Sequence, residues 1–184
     1  MKIPPFTLIG ATTLVGKVAP SLRDRFDLIG QLVFYPVAEL TEIITRGAEA
    51  QLMAIEPAAA ELLATRSRGT PRVALKLMRR ARDRARGQEV ITLAHATAAM
   101  DLAGIDKLGL DEFDRRVLYV VAVERVGRPV GLQAIKARIG EDVTAADEFL
   151  TRIDLLESTL RGRIATAKAY EHLGLTVPVY RGQR

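Results

Sequence analysis

Proline, glycine and threonine cut the middle of this chain into four short helical segments, and their spacing leaves few folds open. Leu40, Ile43, Ile44, Ala48 and Leu52 recur at the three-to-four-residue interval that gathers them into one apolar stripe of a helix. Pro57 opens a second helix, PAAAELLATRS, since the first helical turn does not need the N–H that proline lacks. Gly69 breaks the chain, Thr70 is placed to cap, and Pro71 starts a third helix running to about Arg86. Thr92 caps a fourth, which Gly104 stops. Four helices with such tight connections make a small bundle, assigned to residues 38–106.

The pattern changes on either side of the bundle. Residues 1–37 hold two continuous apolar runs, 6–9 and 31–35, which without alternation read as buried strands of an α/β sheet. A charged turn, SLRDRF, lies between them and Pro36 closes the section. The first run starts almost at Met1 with no earlier element to pair with, and a lone strand buries too little to be stable. This section is therefore expected to be a remnant of a larger α/β domain, poorly ordered in isolation. Residues 107–184 begin with a helix that places Phe113, Val117, Val120 and Val121 on one side and ends at Gly127 and Pro129. LQAIKARIG follows, then TAADEFLTRIDLL, in which Ala146, Phe149, Leu150, Ile153 and Leu156 repeat at helical spacing. Two short helices about a glycine-containing turn, followed by STLRGRIAT as a basic hairpin, spell a winged helix-turn-helix. The expected fold class is mostly α: an α/β remnant, a four-helix domain and a winged helix.

Composition removes several kinds of chemistry. The chain has no cysteine, which excludes disulfides, thiolate zinc sites and cysteine nucleophiles and suits a reducing cytoplasmic setting. Its two histidines, His95 and His172, lie too far apart in sequence to suggest a metal site and read as surface or capping residues. No run of 18 apolar residues is present, and the start lacks the basic-then-apolar pattern of an export signal. The net charge of +5 is concentrated: residues 61–90 carry nine Lys or Arg against three Asp or Glu, and residues 158–184 carry five against one. Concentrated basic surface is what phosphate binding requires, although a solvated helix face carries the same composition.

The stretch GATTLVGKV imitates a phosphate loop and is not one. Gly10 and Gly16 enclose five residues, against the four of G-x-x-x-x-G-K-[ST], and Val18 stands where a hydroxyl must hold magnesium. Two other places invite phosphate. SLRDRF sets Arg23 and Arg25 at a turn after a strand, where a permanently charged, planar guanidinium could reach a phosphoryl group or merely bridge to Asp24 and Asp27. RGTPR puts Arg72 in the first turn of a helix, where it opposes the helix dipole at a cost of a few tenths of a kcal/mol unless an anion is bound nearby.

The runs FTLIGATT, SLRDRF, FYPV, RGTPRVALKLMRRARD, GLDEFDRR, GRPVGLQAI, IGED and RGRIAT, in this order, closely resemble the C-terminal half of the RuvB family, ring-forming AAA+ motors that drive branch migration of Holliday junctions. The resemblance implies a RecA-like α/β domain contributing residues 1–37, a helical lid at 38–106 and a DNA-binding winged helix at 107–184. It implies ATP or ADP with Mg2+ as cofactor, and as partners duplex and junction DNA, a homo-hexameric ring and a RuvA-like junction-binding protein. Thr12 or Thr13 matches the sensor 1 position facing the γ-phosphate. Arg25 matches the arginine finger that reaches into the adjoining subunit's site, Tyr35 a tyrosine near the nucleotide, and Arg72 the sensor 2 arginine carried by the lid.

On the wing, the family's R-T-P-R-G-R reads here Ser158-Thr159-Leu160-Arg161-Gly162-Arg163, which keeps Arg161 and Arg163 as the DNA-binding arginines. The approach to the wing is a few residues shorter than the family pattern, so weakened DNA contact is expected. The phosphate loop, the magnesium carboxylates and the hairpin that docks RuvA do not occur in these residues, and the polypeptide alone is expected not to hydrolyse ATP. Two other readings compete. One is a freestanding winged-helix DNA-binding protein, which the acidic Asp147, Glu148 and Asp154 on its second helix disfavour as a groove reader. The other is an interaction bundle whose Arg79, Arg80, Arg82 and Arg86 are simply solvated.

Overall fold

A computed structural model describes residues 4–178. Residues up to 33 form one compact unit and residues from 34 onward another. In the first unit a 3-10 turn, Val15–Lys17, precedes a single-turn helix α1, Pro20–Arg23. The expected strands at 6–9 and 31–35 do not form, and their apolar side chains stand exposed, Ile9 at 89% and Leu32 at 97%. Strand geometry is held by hydrogen bonds to a neighbouring strand, and the described residues of this unit offer none.

The second unit holds two hydrophobic cores. Helices α2 (Val37–Glu49), α3 (Pro57–Thr65), α4 (Pro71–Arg84) and α5 (Leu93–Leu102) enclose the first, built on Leu40, Ile44, Leu63, Leu77, Met78 and Met100. Two short strands absent from the sequence reading, β1 (Ala54–Ile55) and β2 (Val90–Ile91), pair in parallel and tie the α2–α3 connection to the α4–α5 connection. Thr92 caps α5 as expected: its hydroxyl accepts from the His95 N–H while the His95 ring accepts from the Thr92 N–H. Thr70 does not cap α4, since its hydroxyl turns back to the Ser67 carbonyl at 3.3 Å.

The second core gathers Val117, Leu118, Ile135, Phe149, Leu150 and Tyr170 from α6 (Glu112–Tyr119), α7 (Leu132–Ile139), α8 (Thr144–Arg152) and α9 (Ala167–His172). A π-helical turn at Val120–Glu124 extends α6. The basic hairpin forms as β3 (Leu156–Thr159) and β4 (Gly162–Ala165), antiparallel with Ser158 opposite Arg163. A bridge between Val130 and Arg163 adds a third edge to this wing. The close approach dictates a glycine at 162: a Cβ there would lie 2.4 Å from the Val130 carbonyl oxygen, and φ is +131°. α8 ends at Arg152, so Leu156 belongs to the wing and not to the helical stripe.

Candidate functional site

Arg72 occupies the second position of α4, directly after Pro71. Its side chain is exposed, and among the described residues its guanidinium makes no hydrogen bond or ion pair. With no side-chain cap on Thr70, the Arg72 and Val73 N–H groups in the first turn of α4 have no acceptor among the described residues, an arrangement that favours an anion. Tyr35 is brought to the same place by its backbone: its N–H donates to the Gly69 carbonyl at 2.9 Å, in the turn that starts α4. Phe34 packs against that turn as well, at 3.0 Å from the Cβ that Gly69 lacks. The backbone at residues 67–70 thus anchors Tyr35 next to the start of the helix that carries Arg72.

Arg25 lies just beyond α1, exposed, its guanidinium free of hydrogen bonds and ion pairs among the described residues. Neither arginine of SLRDRF bridges to Asp24 or Asp27; Arg23 instead donates to the Val15 carbonyl at 3.0 Å. Thr12 accepts from the Leu14 N–H at 3.0 Å, which bends the GATT segment, while Thr13 has no such bond.

The two wing arginines differ. Arg161 sits in the β3–β4 turn beside the fully exposed Leu160, its guanidinium without a partner among the described residues. Arg163 is committed internally: Nε and Nη2 donate to the two Asp147 carboxylate oxygens at 2.7 Å each. This paired hydrogen bonding raises the Arg163 pKa further. Asp147 is buried on α8, which corrects its placement on the solvent side of that helix. The polar face that α8 offers outward therefore carries Glu148 alone of the three acids, since Asp154 lies past the helix end in a left-handed backbone conformation. His172 is likewise not a surface group; it meets Asp106 at 2.8 Å and joins α9 to the segment before α6.

Sequence reasoning missed Arg68, Arg152, Asp111 and Asp114. Arg68 donates to Asp111 at 2.8 Å and to Asp114, and Arg152 donates to the Arg68 carbonyl at 2.8 Å. Burial pushes the Asp114 carboxyl up to about 6, against the opposing attraction of Arg68. Only part of this was signalled locally: D-x-x-D at 111–114 is a helix-capping pattern, and both halves of that capping box are present.

The chain is thus a four-helix bundle whose third helix carries, in its first turn, an arginine unpaired among the described residues, followed at once by a winged helix. Residues 35–106 match the RuvB AAA lid domain, and residues 107–174 match the RuvB C-terminal winged helix domain. The chain belongs to the RuvB family. It is 49% identical over 184 residues to the Holliday junction branch migration complex subunit RuvB of Synechocystis sp., covering 97% of this chain and 51% of that protein. The corresponding subunit of Nocardia farcinica is 45% identical, with 97% and 52% covered. A point mutant of Thermotoga maritima RuvB superposes with a TM-score of 0.88 at 44% identity, over 97% of this chain and 61% of that one. The Thermotoga maritima RuvB Holliday junction branch migration motor gives 0.83 at 43% identity, over 89% and 57%. The chain spans about half the length of the curated relatives it matches and corresponds to their C-terminal portion.

Proposed function

We propose that this chain is the lid and winged-helix portion of an ATP-dependent DNA motor that drives branch migration of Holliday junctions in the cytoplasm, within a homo-hexameric ring that works with a RuvA-like partner. The observation that carries this reading is the anchoring of Tyr35 to the Gly69 turn that leads into α4, with the Arg72 guanidinium at that helix start unpaired among the described residues. Arg72 acts as sensor 2: a cation there opposes the helix dipole, and an anion from outside the helix offsets that opposition, so it reads the presence of phosphate. Tyr35 lines the same nucleotide. Arg25 serves as the finger to the neighbouring subunit, and Thr12 or Thr13 as sensor 1. When bound, ATP with Mg2+ supplies the phosphoryl group whose hydrolysis drives the ring. Among the described residues no group of three or more His, Cys, Asp or Glu could hold a metal ion, and the work of this chain's own residues is to sense and position.

On the DNA side Arg161 reaches the phosphate backbone, and Arg163, held by Asp147, sets the hairpin that carries it. Backbone contact of this kind is blind to sequence. Titration of the chain with junction and duplex DNA tests this: binding of similar strength to unrelated sequences, with Arg161→Ala lowering the salt slope by about one unit, agrees. Strong preference for one duplex sequence would instead identify a freestanding regulator. Arg25 is tested by mixing the chain with an intact RuvB ring. Any stimulation of ATP hydrolysis disappears with Arg25→Ala, and stimulation that persists removes the finger assignment.

A further inference from the structure

The turn that positions Arg72 also closes the joint between the bundle and the winged helix. Arg68 holds a left-handed backbone, φ +57°, which a non-glycine residue keeps only where its surroundings fix it. Its guanidinium binds Asp111 and Asp114 at the start of α6, donates to the Gly109 carbonyl at 3.3 Å and lies 4.7 Å from the Phe149 ring centre on α8. Its carbonyl accepts from Arg152 at the end of α8, and Arg152 stacks 3.5 Å from the centre of Phe34. One guanidinium, that of Arg68, thus faces two carboxylates, while Arg152 meets a carbonyl and a ring and, among the described residues, no carboxylate. Gly109, φ +84°, packs so tightly that a Cβ would lie 3.0 Å from the Arg66 carbonyl oxygen.

The connection itself is tied down on both sides. Asp106 accepts from the Leu108 and Leu110 N–H groups at 2.9 Å and meets His172, while Arg115 donates to the Gly104 and Leu110 carbonyls. A hinge between domains has the opposite character, with few cross-contacts and a solvated backbone.

We propose that Arg68 is a positioning residue that makes the bundle and the winged helix a single lever, so that a shift of the 67–70 turn is carried to α8 and, through Asp147 and Arg163, to the wing. α8 links the two ends: Phe149 and Arg152 engage the joint while Asp147, on the same helix, grips the wing strand. Use of this lever by a nucleotide-driven ring rests on the function proposed above; the lever itself does not.

The chain contains no cysteine, so Arg79→Cys on exposed α4 and Leu160→Cys at the wing tip accept nitroxide labels without background. Pulsed dipolar spectroscopy on the whole chain gives one narrow distance distribution. Arg68→Ala at least doubles its width while circular dichroism shows both helical regions folded, and Arg68→Lys, which keeps the charge but loses the planar fork and the ring contact, falls between. A folded Arg68→Ala chain with an unchanged width overturns the proposal, because a residue of merely local structural value would lower the melting temperature without broadening the folded population. If Arg68→Ala does not fold, Arg152→Ala is read the same way: broadening supports the lever and an unchanged width overturns it.

Discussion

Asp147 accepts two parallel hydrogen bonds from Arg163 while itself almost fully buried, so the pair is worth most through what its loss would leave behind. Arg163→Ala strands a desolvated carboxylate and is expected to destabilise the winged helix by about 2–4 kcal/mol, read from urea unfolding followed by circular dichroism. A cost below a few tenths of a kcal/mol would show the pair to be ornamental. Asp114 gives a second test at this scale. Its folded pKa, about 6, lies above the ordinary 3.8, so the folded chain binds the proton more tightly than the unfolded chain between those values. Its contribution to stability is therefore present at low pH and lost as pH rises through about 6. Relative to Asp114→Asn, the wild type should gain on the order of 1–3 kcal/mol as pH falls from 7 to 4, and identical pH slopes for the two chains would contradict the assignment.

At the scale of elements, the capping box on α5 and the glycine of the wing make opposite demands, one on a side chain and one on its absence. Thr92→Ala removes the acceptor for the His95 N–H and should cost about 1 kcal/mol. Gly162→Ala must push Val130 aside and should cost more, about 2 kcal/mol or above, with the loss confined to the winged helix in thermal unfolding. What the sequence revealed follows the same divide between local and distant causes. The helices and the wing are legible because periodicity, caps and breakers act within a few residues, as at Thr92 and Gly140. The runs at 6–9 and 31–35 misled, since a strand exists only with a partner that sequence periodicity cannot supply. Asp147 looked solvent-facing because nothing in TAADEFLTR announces an arginine sixteen residues on. Arg152 and Arg68, eighty-four residues apart, lay beyond any local signal. Of the candidate site, Arg25 and Arg72 were legible from their places at a charged turn and in a first helical turn, while their roles, Tyr35 and Arg161 came from family resemblance; the structure adds the turn that binds Tyr35 to the start of α4.

For the whole molecule, the two units should respond differently to a protease. The described residues up to 33 contain no strand and expose Phe6, Ile9 and Leu32, features of low local stability. Limited trypsin digestion should cut at Arg23 or Arg25 before any site in residues 38–174, and equal protection across the chain would contradict this. The central claim is that Arg72 was placed to feel a nucleotide held by another stretch of polypeptide. Its most direct test is ATP hydrolysis by a ring in which this chain is joined to the part of the Synechocystis relative that it does not cover, compared with the same ring carrying Arg72→Ala. The account predicts that an active parent ring loses hydrolysis by at least about tenfold on this change, as expected when charge stabilisation of a phosphoryl group is removed. Hydrolysis at the parent rate, with unchanged affinity for ATP, would contradict it.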